Sequence, residues 1–319
     1  MTMINDLLPE HIRTVGIAGH VNPDGDAVGS CAALCLYLKK NRPDITRVDL
    51  YLEAPKPELM FLKGVPEALT EIGAFTEYDL FITCDVSDYE RIAVAAPLFD
   101  KAVKRLAIDH HVSNAGFADI NYILPDASSF AEVLTGLFDM DLIDRDIAEA
   151  LYTGMIHDTG VFQYSNTSPV TMRCAAALME KGIDFSRIID DSFNTRTFIQ
   201  NRLLGYCLQK AASLYDGRCI VSSLTLAERD ALSATSKDHD IVVSQLRLTE
   251  GAEAAIFAYE TEPGIFKVSL RSNLYLDVSA VAQRFGGGGH VRASGCTVPG
   301  NADEVLKKVS EAVGECLKD

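Results

Sequence analysis

Three short apolar runs in this sequence each lead directly into aspartate or histidine side chains. Each run has the length of one buried strand, and the stretches between the runs have helical spacing. Strands that alternate with helices form parallel sheets, and the carboxyl ends of parallel strands meet at one edge of the sheet. We therefore predict an α/β fold with a mainly parallel sheet flanked by helices and a site along that edge. The runs and their polar continuations are 15–18 before the turn 19–30, 79–85 ending in Asp85, and 104–109 followed by His110 and His111.

The residue pattern changes after residues 216–217, where a long segment with helical spacing is followed by strand-like stretches with helices between them. A chain of 319 residues is long enough for two domains, each with its own core. We therefore expect a helical linker between a larger and a smaller α/β domain. The expected limits are 1–190 for the first domain, 191–215 for the linker and 216–319 for the second domain.

The net charge of −16, from 45 acidic and 29 basic residues, excludes a global basic field that would recruit long nucleic acid. We expect no stable complex with duplex nucleic acid. A small anionic substrate is compatible, because bound ions and local arginines can reverse the field. Eight cysteines without a CxxC pair are typical of buried small side chains in a reducing compartment. With no apolar run near about 18 residues and no signal-like start, we expect a cytoplasmic protein without membrane contact.

Six aspartate and histidine residues in the first part of the chain are expected to converge on the predicted sheet edge. Taken alone, the turn 20–26 could equally be a solvated Asp-Gly turn. Together, four carboxylates would repel one another unless cations lay between them. Oxygen and nitrogen ligands without thiolates suit manganese or magnesium and disfavour structural zinc, and two such ions can hold a phosphoryl group and activate water. The six residues are His20, Asp24, Asp26, Asp85, His110 and Asp158.

Four consecutive glycines, Gly286–Gly289, precede His290 in the second part of the chain. Consecutive glycines allow backbone N–H groups to approach an anion closely, whereas a flexible linker is the alternative interpretation. The apolar residues on both sides favour a structured loop that binds an anion. Arg271, at the end of a predicted strand, could bind phosphate with its planar guanidinium or stack on a base. Arg292 is a weaker candidate that could equally be simply exposed.

Five motifs in the same order resemble the DHH phosphoesterases. Those of the first part are the opening turn HVNPDGDAVGS, Asp85, the triplet Asp109–His111 and the segment GMIHDTGVFQYSNTSP. The run GGGGH, with SLRS upstream, resembles the DHHA1 domain that accompanies DHH domains. The resemblance covers nearly the whole chain, and its length and layout are most similar to the subgroup of bifunctional oligoribonucleases and pAp phosphatases. It implies a DHH domain joined by the helical linker to a smaller DHHA1 domain.

The resemblance also implies a role for each matching residue. Asp85 would bridge two ions, usually manganese in this family, with magnesium as an alternative. Asp109 would orient ligands, and His111 would face the scissile phosphate or protonate the leaving oxygen. His157 stands where relatives often carry an uncharged polar residue, which leaves its role open. The implied ligands are His20 and Asp24 for one ion and Asp26, His110 and Asp158 for the other, and the implied substrate-binding residues are Arg271, Ser272, Gly287, Gly288, Gly289 and His290.

The activity that the resemblance implies is hydrolysis of short oligoribonucleotides to mononucleotides and of 3′-phosphoadenosine 5′-phosphate (pAp) to AMP, by in-line attack of hydroxide between two metal ions. Because members of the family often form homodimers, the resemblance also implies a homodimer. The alternative within the enzyme class is a phosphodiesterase of cyclic or linear dinucleotides, such as c-di-AMP and pApA. A catalytically silent nucleotide-binding regulator is the remote alternative, because all six ligand candidates are present. A single-strand exonuclease of the same family would need additional domains, and the pyrophosphatases lack this glycine run.

Overall fold

The computed structural model describes residues 2–75, 77–92, 94–236, 238–239 and 241–318. The chain divides into two compact units, Met1–Thr195 and Arg196–Asp319. Among the described residues, no helix combines the length and the apolar character that a transmembrane span requires.

The first unit alternates strands and helices. Its helices are α1 (Ile4–Leu7), α2 (Gly25–Asn41), α3 (Ala96–Lys101), α4 (Phe130–Leu137), α5 (Arg145–Asp158), α6 (Pro169–Met179) and α7 (Phe185–Ile189), with a π-helical turn at Asp190–Asn194. Its strands are β1 (Thr14–Ala18), β2 (Arg47–Tyr51), β3 (Leu80–Cys84), β4 (Lys104–Asp109) and β5 (Ile120–Ile123). Short 3₁₀ turns lie at Pro57–Leu59, Tyr89–Arg91 and Met140–Leu142.

These five strands form one parallel sheet in the order β2-β1-β3-β4-β5. Alternate side chains enter two separate cores, because successive side chains of a strand point to opposite faces. Ile82 belongs to the larger core with α2, α4 and α5, whereas its neighbour Phe81 belongs to the smaller core with α3. The predicted parallel sheet flanked by helices is therefore confirmed, and its carboxyl edge gathers the ends of β1, β3 and β4.

Helices α2 and α5 pack closely across this sheet edge. Helix α2 begins where the Asp24 side chain accepts hydrogen bonds from the backbone N–H groups of Asp26 (3.0 Å) and Ala27 (3.1 Å), which satisfies donors of the first turn. A Cβ atom at Gly29 would lie 2.4 Å from the Ala150 carbonyl oxygen, so only glycine permits this approach. The close contact brings the start of α2 to the end of α5, which is Asp158.

The second unit contains a mixed sheet in the order β10-β11-β9-β8-β7-β6, in which only the β7–β8 pair is parallel. Its core has two parts, since Ile256 of β8 packs with α11 and α12 while Phe257 packs with α8 and α10. The strands are β6 (Ala212–Leu214), β7 (Cys219–Leu224), β8 (Ala254–Glu262), β9 (Ile265–Ser272), β10 (Gly288–His290) and β11 (Ala293–Pro299). The helices are α8 (Phe198–Gln209), α9 (Leu226–Ala231), α10 (Ile241–Arg247), α11 (Val278–Gln283) and α12 (Ala302–Gly314).

The segment 191–215 therefore supplies a helix and a strand to the second unit. Leu203 and Cys207 of α8 are fully buried in the same cluster as Val242 and Phe257. Strand β6 pairs with β7 at the edge of the sheet. The limits assigned to the domains and linker from the sequence stay predictions.

Candidate metal centre

Ligand-type atoms converge at the carboxyl edge of the first sheet, from the segments that follow β1, β3 and β4, from the start of α2 and from the end of α5. They fall into three groups, in each of which the ligand atoms lie within 4.8 Å of one another. Asp85 and His110 each belong to two of the groups, so the groups form one continuous cluster. The groups are His20 with Asp24 and Asp85, Asp26 with His110 and Asp158, and Asp85 with His110 and His111.

Asp85 lies at the centre of this cluster and is only 3% exposed. Its Oδ2 lies 3.7 Å from His20 Nε2, and its Oδ1 lies 3.4 Å from His110 Nε2 and 3.6 Å from His111 Nδ1. Oδ1 nevertheless accepts no hydrogen bond from any described residue. The backbone of Asp85 is left-handed (φ 59°), which turns the side chain away from the strand direction. A buried carboxylate oxygen without a donor is costly, and a bound cation would satisfy it.

Two imidazole rings direct their Nε2 atoms at these carboxylates. His20 Nδ1 donates to the Val21 carbonyl oxygen at 2.7 Å, and His110 Nδ1 donates to the Ala127 carbonyl oxygen at 3.3 Å. Each bond leaves Nε2 directed at the cluster, where His110 Nε2 lies 3.3 Å from Asp158 Oδ2. Histidine ligands of metal ions are held in this manner, with the second ring nitrogen bonded to a carbonyl or carboxylate.

Asp26 is fully buried against the N-terminus of α4. Its carboxylate accepts hydrogen bonds from the backbone N–H groups of Phe130 (2.6 Å) and Ala131 (3.0 Å) and from the Ser30 hydroxyl (2.9 Å). These donors orient the carboxylate and leave it lone pairs for an ion. Helix α5 makes room for the side chain through Gly154, where a Cβ atom would lie 2.6 Å from Asp26 Oδ1.

The titration of the cluster reflects this crowding of carboxylates. Burial and the neighbouring charge of Asp85 raise the pKa of Asp158 to about 7, and they raise the pKa of Asp26 well above its usual range. Burial alone would lower the pKa of His110, but Asp85, Asp26 and Asp158 outweigh it and raise that pKa to about 10. Without cations, the cluster therefore retains protons. Its carboxylate oxygens and imidazole nitrogens fit two divalent cations, which would replace those protons.

Asp109 and His111 lie beside the cluster and form a tight pair. The fully buried Asp109 carboxylate accepts hydrogen bonds from His111 Nδ1 (2.8 Å), the His110 backbone N–H (2.8 Å) and Asn114 Nδ2 (2.8 Å). Burial alone would raise the pKa of Asp109, but the bonds from His111 and Asn114 lower it, and the bond to Asp109 raises the pKa of His111. Asn114 was missed from the sequence, although its place in the loop after the DHH triplet was a usable signal.

His157 lies outside the three groups of ligand atoms found among the described residues. Its ring packs on Gly25, where a Cβ atom would lie 2.1 Å from His157 Cγ. Its Nε2 lies 3.3 Å from the Ser192 hydroxyl, and the edge of the ring faces Phe193 at a centroid distance of 5.6 Å. The role of His157, which the sequence left open, is therefore one of packing between the turn 19–30 and the π-helical turn at Asp190–Asn194.

In the second unit, the predicted substrate residues lie around one end of β9. Arg271 is half-buried and its guanidinium donates to the Leu270 carbonyl oxygen at 3.0 Å, while His290 is exposed on the edge strand β10. Ser272 is buried, and its hydroxyl donates to the Leu276 carbonyl oxygen at 2.6 Å. Arg292 also donates to that carbonyl, at 2.9 Å, so it is not simply an exposed side chain.

The loop that follows β9 is held from two sides. Arg292 donates to the carbonyl oxygens of Leu274 and Leu276, and the buried Glu253 carboxylate accepts hydrogen bonds from the backbone N–H groups of Leu274 (3.1 Å), Tyr275 (2.9 Å) and Leu276 (2.7 Å). Glu253 was missed from the sequence, where it reads as the first residue of an apolar strand. The loop 273–276 is consequently fixed next to Arg271.

The glycine run belongs to the second sheet. Gly288–His290 pair with Ala293–Gly295 of β11, and a Cβ atom at Gly287 would lie 2.2 Å from the Gly295 carbonyl oxygen. Gly289 has a φ of 140°, whereas a Cβ atom at Gly288 would meet nothing within 4 Å. The alternative of a flexible linker is therefore wrong. A cavity of about 540 Å³ beside Gly286 and Gly287 is also lined by Lys267.

Comparison with known families places both units. Residues 14–155 match the DHH family, N-terminal domain, and residues 216–319 match the DHHA1 domain. The chain belongs to the DHH family. The resemblance seen in the motifs is thus confirmed, and the chain is a phosphoesterase of a family whose enzymes depend on metal ions.

Several DHH-family relatives are similar to this chain along nearly its whole length. The bifunctional oligoribonuclease and PAP phosphatase NrnA of Thermus thermophilus is 29% identical over 99% of this chain and 94% of its own. The Bacillus subtilis protein of the same name is 27% identical over 93% of this chain and 96% of its own. A crystal structure of an exopolyphosphatase-related protein from Bacteroides fragilis superimposes with a TM-score of 0.87 at 27% identity, covering 96% of this chain and 93% of that protein.

Proposed function

We propose that this protein hydrolyses short oligoribonucleotides to mononucleotides and pAp to AMP, using two divalent metal ions. The observation that carries the proposal is Asp85, a buried carboxylate that belongs to two groups of ligand atoms and has an oxygen without a donor. Two full-length relatives that bear the name of this activity support the choice of substrates. The proposed ligands are His20, Asp24 and Asp85 for one ion, and Asp26, His110, Asp158 and the shared Asp85 for the other.

Two divalent ions in such a site supply a nucleophilic hydroxide and neutralise the charge of a phosphoryl group during in-line displacement. The contribution of Asp109 is to hold His111 through Nδ1, so that Nε2 is the free donor of a ring whose pKa is raised. A protonated His111 is suited to donate that proton to the oxygen that leaves phosphorus. His111 is about one-third exposed, so a substrate can reach it.

We assign recognition of the rest of the substrate to the second unit. Arg271 and the exposed His290 offer donors to a phosphate, and the open side of Gly288 leaves room for close approach of an anion. Gly287 and Gly289 support this indirectly, by allowing β10 to lie against β11. Ser272 fixes the loop after β9, because its hydroxyl is committed to the Leu276 carbonyl oxygen.

We further propose Mn²⁺ as the activating ion, since the donor set of carboxylates and imidazoles suits it. The cytoplasmic location, the homodimer and the absence of a stable complex with duplex nucleic acid stay predictions.

A substrate panel tests the proposal. The purified chain with saturating Mn²⁺ is given pAp, 5′-labelled and 3′-labelled dinucleotides to pentanucleotides, and c-di-AMP, and kcat/KM is compared. AMP from pAp and mononucleotides from short RNA are the expected products. A clearly higher kcat/KM for c-di-AMP would favour the dinucleotide phosphodiesterase instead, and an inert protein with all three substrates would refute the hydrolase.

A further inference from the structure

Arg91 is anchored directly to the metal centre by its backbone. The Arg91 carbonyl oxygen accepts a hydrogen bond from the Val21 backbone N–H at 2.9 Å, and the next residue, Ile92, forms an isolated antiparallel bridge with His20. The Asp88 carboxylate accepts the Arg91 backbone N–H at 3.1 Å, which closes the 3₁₀ turn Tyr89–Arg91. Arg91 therefore has a fixed position relative to the turn that carries His20 and Asp24.

The guanidinium of Arg91 lies beside the ring of His20. Its Nη2 is 3.4 Å from His20 Nδ1, but that nitrogen already donates its proton to the Val21 carbonyl oxygen at 2.7 Å and cannot also accept one. In the part of the chain that the structure describes, the Arg91 side chain forms no ion pair with a carboxylate, unlike Arg42, Arg47 and Arg105 of the same unit. An exposed, uncompensated cation thus lies next to a metal-ligand candidate.

The charge of the site shows why such a cation matters. The four carboxylates of the ligand groups balance the positive charge of two divalent ions. A site that holds both ions therefore has little net positive charge with which to attract an anion. A phosphate ester adds one or two negative charges, and the chain as a whole carries −16. The guanidinium offers charge-assisted hydrogen bonds in a planar fork that matches phosphate oxygens.

We infer that Arg91 binds a phosphate group of the substrate at the edge of the metal centre, an inference that rests on the proposed phosphohydrolase function. Arg91 then contributes, beside the protonated His111, to compensating the charge of the bound phosphate. Its contact to His20 also allows a different role, in which Arg91 only supports the histidine ring, and the two roles are separable by experiment.

The test compares Arg91→Ala and Arg91→Lys with Arg173→Ala, a matched loss of an exposed arginine in the same unit that forms no ion pair with a described residue. With Mn²⁺ saturating, we expect Arg91→Ala to raise KM for pAp about tenfold, as for the loss of one charged hydrogen bond, and to flatten the salt dependence of kcat/KM. Arg91→Lys keeps the charge but not the fork and should fall between. The Mn²⁺ affinity should equal that of the wild type.

Two results overturn the inference. In one, Arg91→Ala behaves like Arg173→Ala; in the other, its Mn²⁺ affinity falls while KM for pAp is unchanged, which would assign Arg91 to support of His20. A wild-type protein that hydrolyses no substrate of the panel would refute the proposed function alone. Titration of inorganic phosphate into the Mn²⁺-loaded protein then decides on Arg91, since the alanine variant should bind phosphate about tenfold more weakly.

Discussion

Two buried carboxylates, Asp85 in the first unit and Glu253 in the second, are equally hidden from solvent but differently satisfied. Asp85 is 3% exposed and leaves one oxygen without a donor, whereas Glu253 is 4% exposed and accepts three backbone N–H groups. A buried carboxylate is stable only when donors or cations compensate its charge. The difference indicates that Glu253 fixes a loop within the protein, and it favours the proposed role of Asp85 as a ligand of bound cations.

We expect the largest effect from Asp85→Asn. The substitution keeps the size of the side chain but removes the charge shared by the two ligand groups. We expect kcat for pAp to fall about a thousandfold, because each ion contributes several kcal/mol to stabilisation of the transition state. Mn²⁺ binding measured by calorimetric titration should weaken as well.

Glu132→Gln is the matched control for Asp85→Asn, because Glu132 is a buried carboxylate of the same unit that accepts hydrogen bonds from the hydroxyls of Ser128 and Thr171. It should keep its Mn²⁺ affinity. Full activity in Asp85→Asn would remove Asp85 from the metal centre.

Glu253→Ala tests whether the buried Glu253 carboxylate stabilises the loop 273–276. Removal of the carboxylate leaves the N–H groups of Leu274, Tyr275 and Leu276 without their acceptor, so we expect a loss of about 2–4 kcal/mol in the free energy of unfolding. Because the chain contains no tryptophan, unfolding in urea is best followed by circular dichroism. Mn²⁺ affinity should be unchanged, since the proposed metal ligands all belong to the first unit.

Glu262→Ala, an exposed change on the same strand β8, is the control and should leave stability unaltered. Equal stability of Glu253→Ala and Glu262→Ala would show that the loop 273–276 does not depend on the buried carboxylate.

The ligand-type residues could be predicted from the sequence because residue type and position after a strand are enough to recognise them. A strand that ends in aspartate or histidine is visible without any knowledge of its partners, and the parallel order of the sheet follows from the alternation of strands and helices. Glu253 and Arg91 were not recognised as structural or functional residues, and Arg292 was only a weak candidate for phosphate binding, because each acts on chain segments distant in sequence. Glu253 bonds to residues 21 to 23 positions later, and no local pattern specifies such a contact.

The glycine run shows the same limit within a motif that was recognised. The run was predicted as a loop that binds an anion, yet the need for glycine at 287 and 289 comes from the backbone of β11, which approaches to within Cβ distance. Gly288 faces open space, and so does Gly286, whose φ of 72° lies in the left-handed region that favours glycine. The sequence cannot separate these two causes, because all the residues of the run are identical.

A pair of alanine substitutions separates them. Gly289→Ala meets the Ala293 carbonyl oxygen at 2.7 Å and a φ of 140°, so we expect a loss of about 1–3 kcal/mol in stability. Gly288→Ala should change stability by less than about 0.5 kcal/mol but raise KM for pAp, if the open side of the strand admits the substrate phosphate. Thermal unfolding and steady-state kinetics of both variants measure this. An unchanged KM in a stable Gly288→Ala protein would leave the run with a purely structural role.

The smallest expected effect is a pH dependence confined to the first unit. The pKa of His110 is raised from 6.5 to about 10 and that of Asp158 from 3.8 to about 7, so the folded protein holds both protons more tightly than the unfolded chain does. The resulting stabilisation is complete at low pH and is lost as the pH rises through these folded-state values. We expect the melting temperature of the protein in EDTA to fall between pH 6 and pH 9.

With Mn²⁺ bound, cations replace those protons, so the increase in melting temperature on adding Mn²⁺ should be larger at pH 9 than at pH 6. His110→Gln removes a group whose pKa is strongly raised and should flatten the pH dependence in EDTA. Glu253 accepts backbone donors that do not titrate, and Glu253→Ala should therefore lower the melting temperature equally at both pH values. If the melting temperature of His110→Gln depends on pH as strongly as that of the wild type, the pH dependence does not originate in the cluster around Asp85.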